Sequence, residues 1–422
     1  MYQALKNKGI YQAVLRNLDP GQVISYEDYC ALLEDMMKGT HVWPLPHRIE
    51  ICKSFSQKRR IVFNYPKAEM FVLRAVNRYL FKNCDQYLSP SYYPFPGYSP
   101  SQCLDMTLNK FAKYKKARGL HPEDFYGIHF DVSDYFNSMN PSLLLERMPV
   151  EVKNDRDFIR MFSQTLGNPY CIDRHRIVKV ENKGAMAGLP VSAFFAAAYL
   201  SEMDRFFDQE EIPYARYSDD VLLFAENPDD LSEYSRYIEE FMASSGLLIN
   251  RTKTEAINPG EPWTFIGFEV DHGTIDLALH SEEKIKRRVG RWAKRLRKRV
   301  EVGYYNKMRK TTPEKAAQSL IKGINRALFK PIRDKYSWAR WTFSTINSTE
   351  RLEALDLFIQ EKIRYVYTGR YTRANYRILP YEKMAQMGYY PLLKLYSLYR
   401  YRPDKYQKFM DDFVIVPETV KA

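Results

Sequence analysis

Long apolar runs are missing from this sequence. The longest, from Val191 to Leu200, falls short of the ~18 residues that a membrane-spanning helix needs. The first residues, Met1 to Lys8, lead into no apolar segment, so no signal peptide is predicted. We therefore expect a cytoplasmic protein that does not use a membrane.

Cysteine is scarce, and its spacing excludes two kinds of site. The five cysteines are odd in number and widely separated: Cys30, Cys52, Cys84, Cys103 and Cys171. This spacing matches neither a zinc site nor a disulfide framework. We expect free thiols in a reducing cytosol. The chain also lacks an internal repeat or a low-complexity tract.

Acidic residues are fewer than basic ones. The chain has 51 Asp and Glu against 64 Lys and Arg, which gives a net charge of +13. Such an excess favours polyanionic partners. Residues 284–299 contain no acid, and their cations are Lys284, Lys286, Arg287, Arg288, Arg291, Lys294, Arg295, Arg297, Lys298 and Arg299.

The apolar residues of this basic segment predict one stripe of an amphipathic helix. They are Ile285, Val289, Trp292, Leu296 and Val300. One face would pack while the others present cations to phosphates. A basic amphipathic helix can also lie on a membrane.

Two adjacent carboxylates, Asp219 and Asp220, follow Tyr217 and Ser218 and precede an apolar run that predicts a buried strand. Like charges this close repel and need a nearby cation. Hard oxygen ligands suit Mg²⁺. The ordinary alternative is a turn, where paired Asp residues are common; Asp229 and Asp230 fit that description.

A third carboxylate lies upstream, where a short apolar strand ends at Asp131. Two-metal phosphoryl transfer needs carboxylates from at least two segments, so that the ions lie about 4 Å apart. We predict that Asp131 joins Asp219 and Asp220 at a metal site. Asp134 fits a helix N-cap or another structural role.

These segments resemble the motifs of reverse transcriptases, the right-hand polymerases of retroelements and bacteria. Six segments follow in the order of that family: QKRRIV at 57–62 with Pro66, FDVSDYF at 130–136, GLPVS at 188–192, YSDD at 217–220, GLLINRTKT at 246–254 and WTFIGF at 263–268. Family members commonly carry Gln before the glycine of the third segment, whereas Ala187 stands here.

The resemblance implies roles for particular residues. Asp131, Asp219 and Asp220 would hold two Mg²⁺ ions, with Mn²⁺ as a substitute and the Val132 carbonyl as a further ligand. Lys253 would assist pyrophosphate departure, and a plain surface lysine is the competing interpretation. The remaining residues implied for substrate binding are Lys58, Arg60, Phe136, Gly188, Pro190, Ser192 and Tyr217.

Four of these residues also have a physical reason for their role. A bulky ring at Phe136, beneath the incoming sugar, leaves no space for a 2′-hydroxyl and favours dNTPs. Gly188 allows close backbone approach, and Ser192 can cap the helix that Pro190 starts. For nucleic-acid binding the resemblance and the basic segment indicate Phe265, Gly267, Lys284, Arg287, Arg288, Arg291, Lys294, Arg295 and Lys298.

The fold implied is α+β: a right-hand polymerase with fingers, an antiparallel-sheet palm and a helical thumb. We predict an N-terminal helical extension over 1–50, fingers over 51–125 and a palm over 126–280. Within the palm, 149–184 would be a fingers insert and 261–280 a primer grip. Residues 281–422 would form a basic helical thumb that binds RNA through interleaved Tyr and Arg.

The predicted function is RNA-directed DNA synthesis. Stand-alone bacterial members of the family, many of them defensive, often copy a companion structured non-coding RNA, so the implied partners are that RNA, the DNA product and dNTPs. Whether the chain forms a homo-oligomer is left open. Alternatives are an RNA-dependent RNA polymerase, template-independent or protein-primed synthesis, and an RNA-binding scaffold with a vestigial site.

Overall fold

The structure is a computed structural model. It describes residues 2–16, 18, 20–52, 59–92, 100–121, 124–180, 184–302, 310–329 and 337–415. These residues form two compact units, the first ending at residue 261 and the second beginning at residue 262.

The first unit combines helices with short strands. Its helices are α1 (Tyr2–Leu5), α2 (Lys8–Leu15), α3 (Tyr26–Lys38), α4 (Lys67–Asn83), α5 (Pro100–Arg118), α6 (Tyr135–Ser138), α7 (Pro141–Glu146), α8 (Val150–Asn154), α9 (Arg156–Gly167), α10 (Ser192–Tyr199), α11 (Ser201–Gln209) and α12 (Pro228–Ser244). Its strands are β1 (His47–Cys52), β2 (Arg59–Asn64), β3 (Tyr126–Asp131), β4 (Tyr170–Asp173), β5 (Arg176–Lys179), β6 (Tyr214–Tyr217), β7 (Asp220–Ala225) and β8 (Glu255–Ile257).

A four-stranded antiparallel sheet, in the order β6-β7-β3-β8, lies at the centre of this unit. The run from Val221 to Ala225 is buried throughout, as expected for a strand covered on both faces. Helix α12 packs on β3 and β7, while α5 and α11 contact β6. The sheet therefore gives the ends of β3 and β7 a rigid support.

A second sheet has the order β2-β1-β4-β5. Strands β1 and β2 form an antiparallel hairpin, and β4 joins β1 by a parallel pairing at His47 and Ile172. The predicted insert at 149–184 thus supplies two strands to the sheet that carries the first fingers motif. Strand β1 begins at His47, shortly before the predicted end of the N-terminal helical part.

The second unit is a small sheet followed by helices. Its strands are β9 (Trp263–Phe265), β10 (Phe268–Asp271) and β11 (Thr274–Leu277), in the order β11-β10-β9. Its helices are α13 (Leu279–Glu301), α14 (Pro313–Phe329), α15 (Trp338–Thr345), α16 (Glu350–Thr368), α17 (Asn375–Ile378), α18 (Tyr381–Gln386), α19 (Leu392–Tyr401) and α20 (Pro403–Ile415).

The boundary at 261 differs from the predicted palm end at 280. The small sheet joins the helical unit because its polar groups are satisfied there: the amide of Ile275 donates to Asn347 Oδ1 at 2.7 Å. Arg351 of α16 also pairs with Glu269 of β10 at 3.0 Å. The local sequence pattern does not predict contacts of this kind between distant segments.

The basic segment forms α13 as predicted, with a modified apolar stripe. Ile285 and Val289 are buried, and the third buried apolar residue is Ala293 rather than Trp292. Trp292 is half-buried, and the Arg288 guanidinium lies 4.5 Å from its ring centroid. Helix α13 packs against α14 and α16.

The predicted α+β class is confirmed by the helices and antiparallel sheets. Within the residues described, no helix has both the length and the apolar character required to span a bilayer. The division into fingers, palm and thumb stays a prediction.

Candidate active site

The YSDD segment forms the tight turn between β6 and β7. Tyr217 pairs with Asp220, which leaves Ser218 and Asp219 as the two turn residues. Ser218 has φ of 61°, a left-handed conformation that is uncommon and strained for a residue other than glycine. The turn therefore needs support from the surrounding structure.

Asp131 faces this turn from β3. It is the direct cross-strand partner of Asp220, and directly opposed residues project from the same face with Cβ atoms about 4.5–5.5 Å apart. The amide of Val132 donates to the Asp219 carbonyl at 3.1 Å. The structure thus brings together the three carboxylates that the sequence analysis grouped; their catalytic role stays a prediction.

The electrostatics of this cluster favour a cation. Burial, followed by the charges of Asp220 and Asp131, raises the pKa of Asp219, and Arg60 acts in the opposite direction. Carboxylate oxygens are the donors that Mg²⁺ prefers. Across the residues described, no three acidic, His or Cys side chains are already gathered as a metal site.

The carboxylate of Asp131 already has two side-chain partners. Its Oδ2 pairs with Lys253 Nζ at 2.5 Å, and its Oδ1 accepts from Asn250 Nδ2 at 3.2 Å. The Lys253 ammonium thus supplies positive charge to the carboxylate cluster. The residues fit a divalent ion, which would compete with Lys253 for Asp131.

Asn250 is a site residue that the sequence analysis did not select. Its amide donates to the Asp131 carbonyl at 2.7 Å, in addition to the side-chain bond. The spacing Asn-x-x-Lys was the available signal, because both ends of that segment contact Asp131. His129 was also missed; its Nε2 lies 3.7 Å from Asp220 Oδ1.

Phe136 lies on the short helix α6, five residues after Asp131. Its ring is half-buried and lies 5.6 Å from that of Tyr135. Its carbonyl accepts from the Ala185 amide at 2.7 Å. Gly184 is pressed against this backbone: it has φ of 50°, and a Cβ there would lie 2.3 Å from the Phe136 oxygen.

Asp134 occupies the predicted N-cap position of α6 without acting as a cap. Its φ is 43°, and its side chain makes no capping hydrogen bond. Its Oδ1 accepts instead from Asn137 Nδ2 at 3.1 Å. The left-handed backbone at this residue prevents the usual capping geometry, which needs an extended conformation.

Gly188 is required by a close backbone contact, as predicted. It has φ of 103°, and a Cβ there would lie 2.9 Å from the Phe63 carbonyl oxygen of β2. The Phe63 amide also donates to the Ala187 carbonyl at 2.7 Å. Ala187 is buried and Pro190 half-buried, so this segment is held directly against β2.

The prediction that Ser192 caps helix α10 is wrong. The N-cap is Val191, and Ser192 is the first helical residue. Its buried hydroxyl donates to the carbonyls of Ala185 and Met186, at 2.6 and 2.7 Å. The preceding loop folds back over the helix start, so the hydroxyl closes the loop and is turned away from solvent.

The structure shows the positions of two further residues that were predicted to bind substrate. Arg60 is an exposed residue of β2 whose charge reaches Asp219. Tyr217 is half-buried, and burial, with Cys103 and Asp220 nearby, raises its pKa to about 12. Lys58 lies outside the described residues.

The predicted nucleic-acid contacts belong to the second unit. Phe265 is fully buried, so its side chain shapes the β9–β10 hairpin and does not reach the surface. Ile266 and Gly267 form that hairpin's turn, with φ of 45° and 89°. On α13 the exposed cations are Arg287, Lys294, Arg295 and Lys298; Lys284, Arg288 and Arg291 are half-buried.

A buried ion pair next to the turn also escaped the sequence analysis. Arg216 and Asp204 are paired at 2.5 Å with both side chains inaccessible to solvent. The available signal was an arginine inside a run of strand residues. Such an arginine indicates a buried ion pair, because a buried charge requires a partner. Nothing local in the sequence indicates that the partner is Asp204.

Comparison with known protein families places this chain in one of them. Residues 58–270 match the family model described as reverse transcriptase (RNA-dependent DNA polymerase). This match indicates a polymerase domain of the nucleotidyltransferase class. The match spans about half of the chain, and the chain belongs to the reverse transcriptase family, which confirms the resemblance seen in the sequence.

Solved structures give weaker similarities. Apo telomerase from Candida tropicalis aligns with a TM-score of 0.48 at 13% identity, covering 92% of this chain and 74% of that chain. The same telomerase truncated from its C-terminal domain gives 0.44 at 16% identity, covering 60% of this chain and 61% of that chain. Telomerase from Candida albicans with a fragment of telomeric RNA gives 0.42 at 12% identity, covering 98% and 70%. No curated protein sequence matches the chain.

Proposed function

We propose that the chain is an active RNA-directed DNA polymerase whose site is the cluster Asp131, Asp219 and Asp220. The observation that carries this proposal is the cross-strand pairing of Asp131 with Asp220. It brings carboxylates from two distant segments to one face of the central sheet. Asp219 lies beside them in the turn, with a pKa that burial and its two neighbours raise.

These carboxylates would hold two Mg²⁺ ions, with Mn²⁺ as a substitute. When bound, the ions neutralise charge that develops on the transferring phosphoryl group and its attacking and leaving oxygens. The Val132 carbonyl, at the end of β3, is a further proposed ligand. Asn250 would orient Asp131 through the hydrogen bond to its Oδ1.

The chain's own residues would position the substrates. A primer 3′-oxygen forms a bond to the α-phosphorus of a dNTP, and the bond to pyrophosphate breaks. Arg60, whose charge reaches Asp219, is placed to bind the phosphates, since a guanidinium matches phosphate geometry. Lys253 would move from Asp131 to the departing pyrophosphate and supply a charge or a proton.

Phe136 would select the sugar. It lies on α6, five residues after Asp131, with a half-buried ring, and the Ala185 amide holds its main chain by donating to its carbonyl. A ring beneath the ribose would leave no space for a 2′-hydroxyl. This favours DNA synthesis over RNA synthesis.

The template that we propose is a structured non-coding RNA, and the setting a cytoplasmic role in bacterial defence against phage. The net charge of +13 and the exposed cations of α13 support a polyanionic partner. The defence role follows from the resemblance to stand-alone bacterial members of the family. Sequencing the RNA and DNA that purify with the protein tests the template; recovered DNA that is not complementary to any recovered RNA would count against templating.

The catalytic proposal is tested with Asp219→Ala plus Asp220→Ala. This variant should lose Mg²⁺-dependent dNTP incorporation on an RNA template while binding RNA nearly as well as the wild type. A matched control is Asp229→Ala plus Asp230→Ala, which changes a second Asp pair in the first turn of α12. The control should keep incorporation and lose at most about 2 kcal/mol of stability, about 1 kcal/mol for each acid at the helix N-terminus.

Retained incorporation by the Asp219/Asp220 variant would refute the site. Incorporation that needs no template would favour template-independent or protein-primed synthesis. Wild-type protein that binds RNA but incorporates no nucleotide with Mg²⁺ or Mn²⁺ would indicate a scaffold with a vestigial site.

A further inference from the structure

Arg216 is a fully buried arginine in β6, beneath the turn that carries Asp219 and Asp220. Its Nε lies 2.7 Å from Asp204 Oδ1, and its Nη2 lies 2.5 Å from Asp204 Oδ2. This is a bidentate pair, the strong geometry for arginine and carboxylate. Tyr214 donates to the same Asp204 Oδ1 at 2.7 Å.

The remaining N–H groups of Arg216 reach three backbone carbonyls. Nη1 donates to Ala196 at 3.3 Å and to Ser218 at 3.0 Å, and Nη2 donates to Ala197 at 3.4 Å. All five guanidinium donors therefore have an acceptor. Ala196 and Ala197 lie in the last turn of α10, whose carbonyls lack helical partners.

The bond to Ser218 is the one that concerns the active site. Ser218 is the turn residue with φ of 61°, and it immediately precedes Asp219. A strained turn persists only where its surroundings hold it in place. Arg216 is itself held from several sides: its amide donates to Ser91 at 2.9 Å, and its guanidinium lies 4.3 Å from the Tyr92 ring centroid.

A buried ion pair adds little to the net stability of a fold. Desolvation of the two charges can cost more than their attraction returns, and apolar replacements of similar volume are often neutral or stabilising. A lysine could not take the place of Arg216, because its ammonium has three donors and no fixed fork. The arrangement is therefore suited to fixing a geometry.

We propose that Asp204 and Arg216 form a positioning pair, which fixes the Ser218 carbonyl and so holds Asp219 and Asp220 in the geometry that binds the divalent ions. This inference rests on the proposed function of the carboxylate cluster. Asp204 orients the guanidinium, and the guanidinium ties the turn to the end of α10. Neither residue contacts substrate.

The first test is Arg216→Lys, which keeps a positive charge near Asp204 and loses the bond to Ser218. We expect kcat for single-nucleotide incorporation to fall roughly 10²-fold, the scale of a ~1 Å misplacement of catalytic groups. The KM for dNTP should change much less. Binding of Mn²⁺ to the nucleic-acid-free protein, followed by electron paramagnetic resonance, should weaken.

The second test replaces both charges, Asp204→Leu with Arg216→Met. This variant should fold, since apolar pairs substitute for buried ion pairs, and should show the same losses of kcat and Mn²⁺ affinity. Tyr214→Phe is the matched control. It removes one donor to Asp204 and leaves the bond from Arg216 to Ser218, so its kcat should stay near the wild-type value.

Folded variants with wild-type kcat and Mn²⁺ affinity would overturn the inference. So would losses that merely follow the folded fraction, or a failure of both variants to fold, since the pair would then serve folding itself. If the wild type incorporates no dNTP, the proposed function fails, and the Mn²⁺ measurement still decides whether the pair positions the turn.

Discussion

The ammonium nitrogen of Lys253 lies 2.5 Å from Oδ2 of Asp131, across the edge of the central sheet. Lys253 is half-exposed and Asp131 is mostly buried. The lysine therefore competes with any cation that approaches Asp131 from solvent. This contact makes Lys253 a counter-charge to Asp131 in the metal-free protein, in addition to its proposed role as a partner of the departing pyrophosphate.

Lys253→Met should separate these roles. We expect kcat to fall by about 10²-fold or more, the usual contribution of a positioned acid, and half-saturation by Mg²⁺ to occur at a lower concentration. Both are measured by single-nucleotide incorporation over a Mg²⁺ titration. Unchanged kcat together with unchanged Mg²⁺ dependence would make Lys253 an ordinary surface lysine.

Asp219→Asn should stabilise the protein when metal is removed by a chelator. Because the folded-state pKa of Asp219 is raised, the folded protein binds more protons than the unfolded chain between the ordinary Asp value, about 3.9, and that raised pKa. Stability then falls as pH rises through this interval. The ionised carboxylate is thus unfavourable at neutral pH.

Thermal unfolding over a pH series in chelator is the measurement. The Asn variant should have the higher Tm at neutral pH, and the difference should vanish below the ordinary Asp pKa. Adding Mg²⁺ should raise the Tm of the wild type more than that of the variant, because ligands that bind the folded state stabilise it. A variant less stable than the wild type at neutral pH would contradict the charge argument.

Phe136→Ala should relax the choice of sugar. Removing the ring opens space for a 2′-hydroxyl, and we expect rNTP use relative to dNTP use to rise roughly 10–10²-fold, the range of steric discrimination in a pocket. Competition assays with matched rNTP and dNTP measure the ratio. Tyr135→Phe is the control: it loses the hydroxyl bond to the Ala196 carbonyl and keeps the ring, so the ratio should not move.

Gly188→Ala should destabilise the first unit. The added Cβ meets the Phe63 carbonyl at 2.9 Å with φ of 103°, and strained backbone alone costs about 1–3 kcal/mol. Gly119→Ala also places a side chain at a positive φ, 66°, but with open space around it, so it carries a conformational cost without a close contact. Urea unfolding of both variants gives the two free energies, and equal losses would contradict a role for the close contact with β2.

The sequence allowed the carboxylate cluster to be predicted because each Asp stands at the end of an apolar strand. Strand ends that pair in a sheet bring such residues together, and the register of Asp131 with Asp220 follows. The role of Gly188 was predictable because a residue without a Cβ allows another backbone to approach closely. The basic helix α13 was visible from its periodicity.

Other features depend on contacts that no local pattern records. Ser192 was expected at a helix cap, but the preceding loop folds back and takes its hydroxyl. The partner of Arg216 comes from another helix, and the small sheet at 263–277 joins the helical unit through Asn347 and Arg351. Such pairings are decided by tertiary packing, which overrides local preference.

Gly184 gives the proposed selection of the sugar a second determinant, in the main chain next to Phe136. Any side chain there collides with the carbonyl oxygen of Phe136, only 2.3 Å from the Cβ position, and would displace this residue. A saturation screen for ribonucleotide tolerance should therefore recover changes at this glycine as well as at the aromatic. A less discriminating enzyme would therefore arise by substitution at either of two positions, the aromatic residue or the glycine next to its main chain.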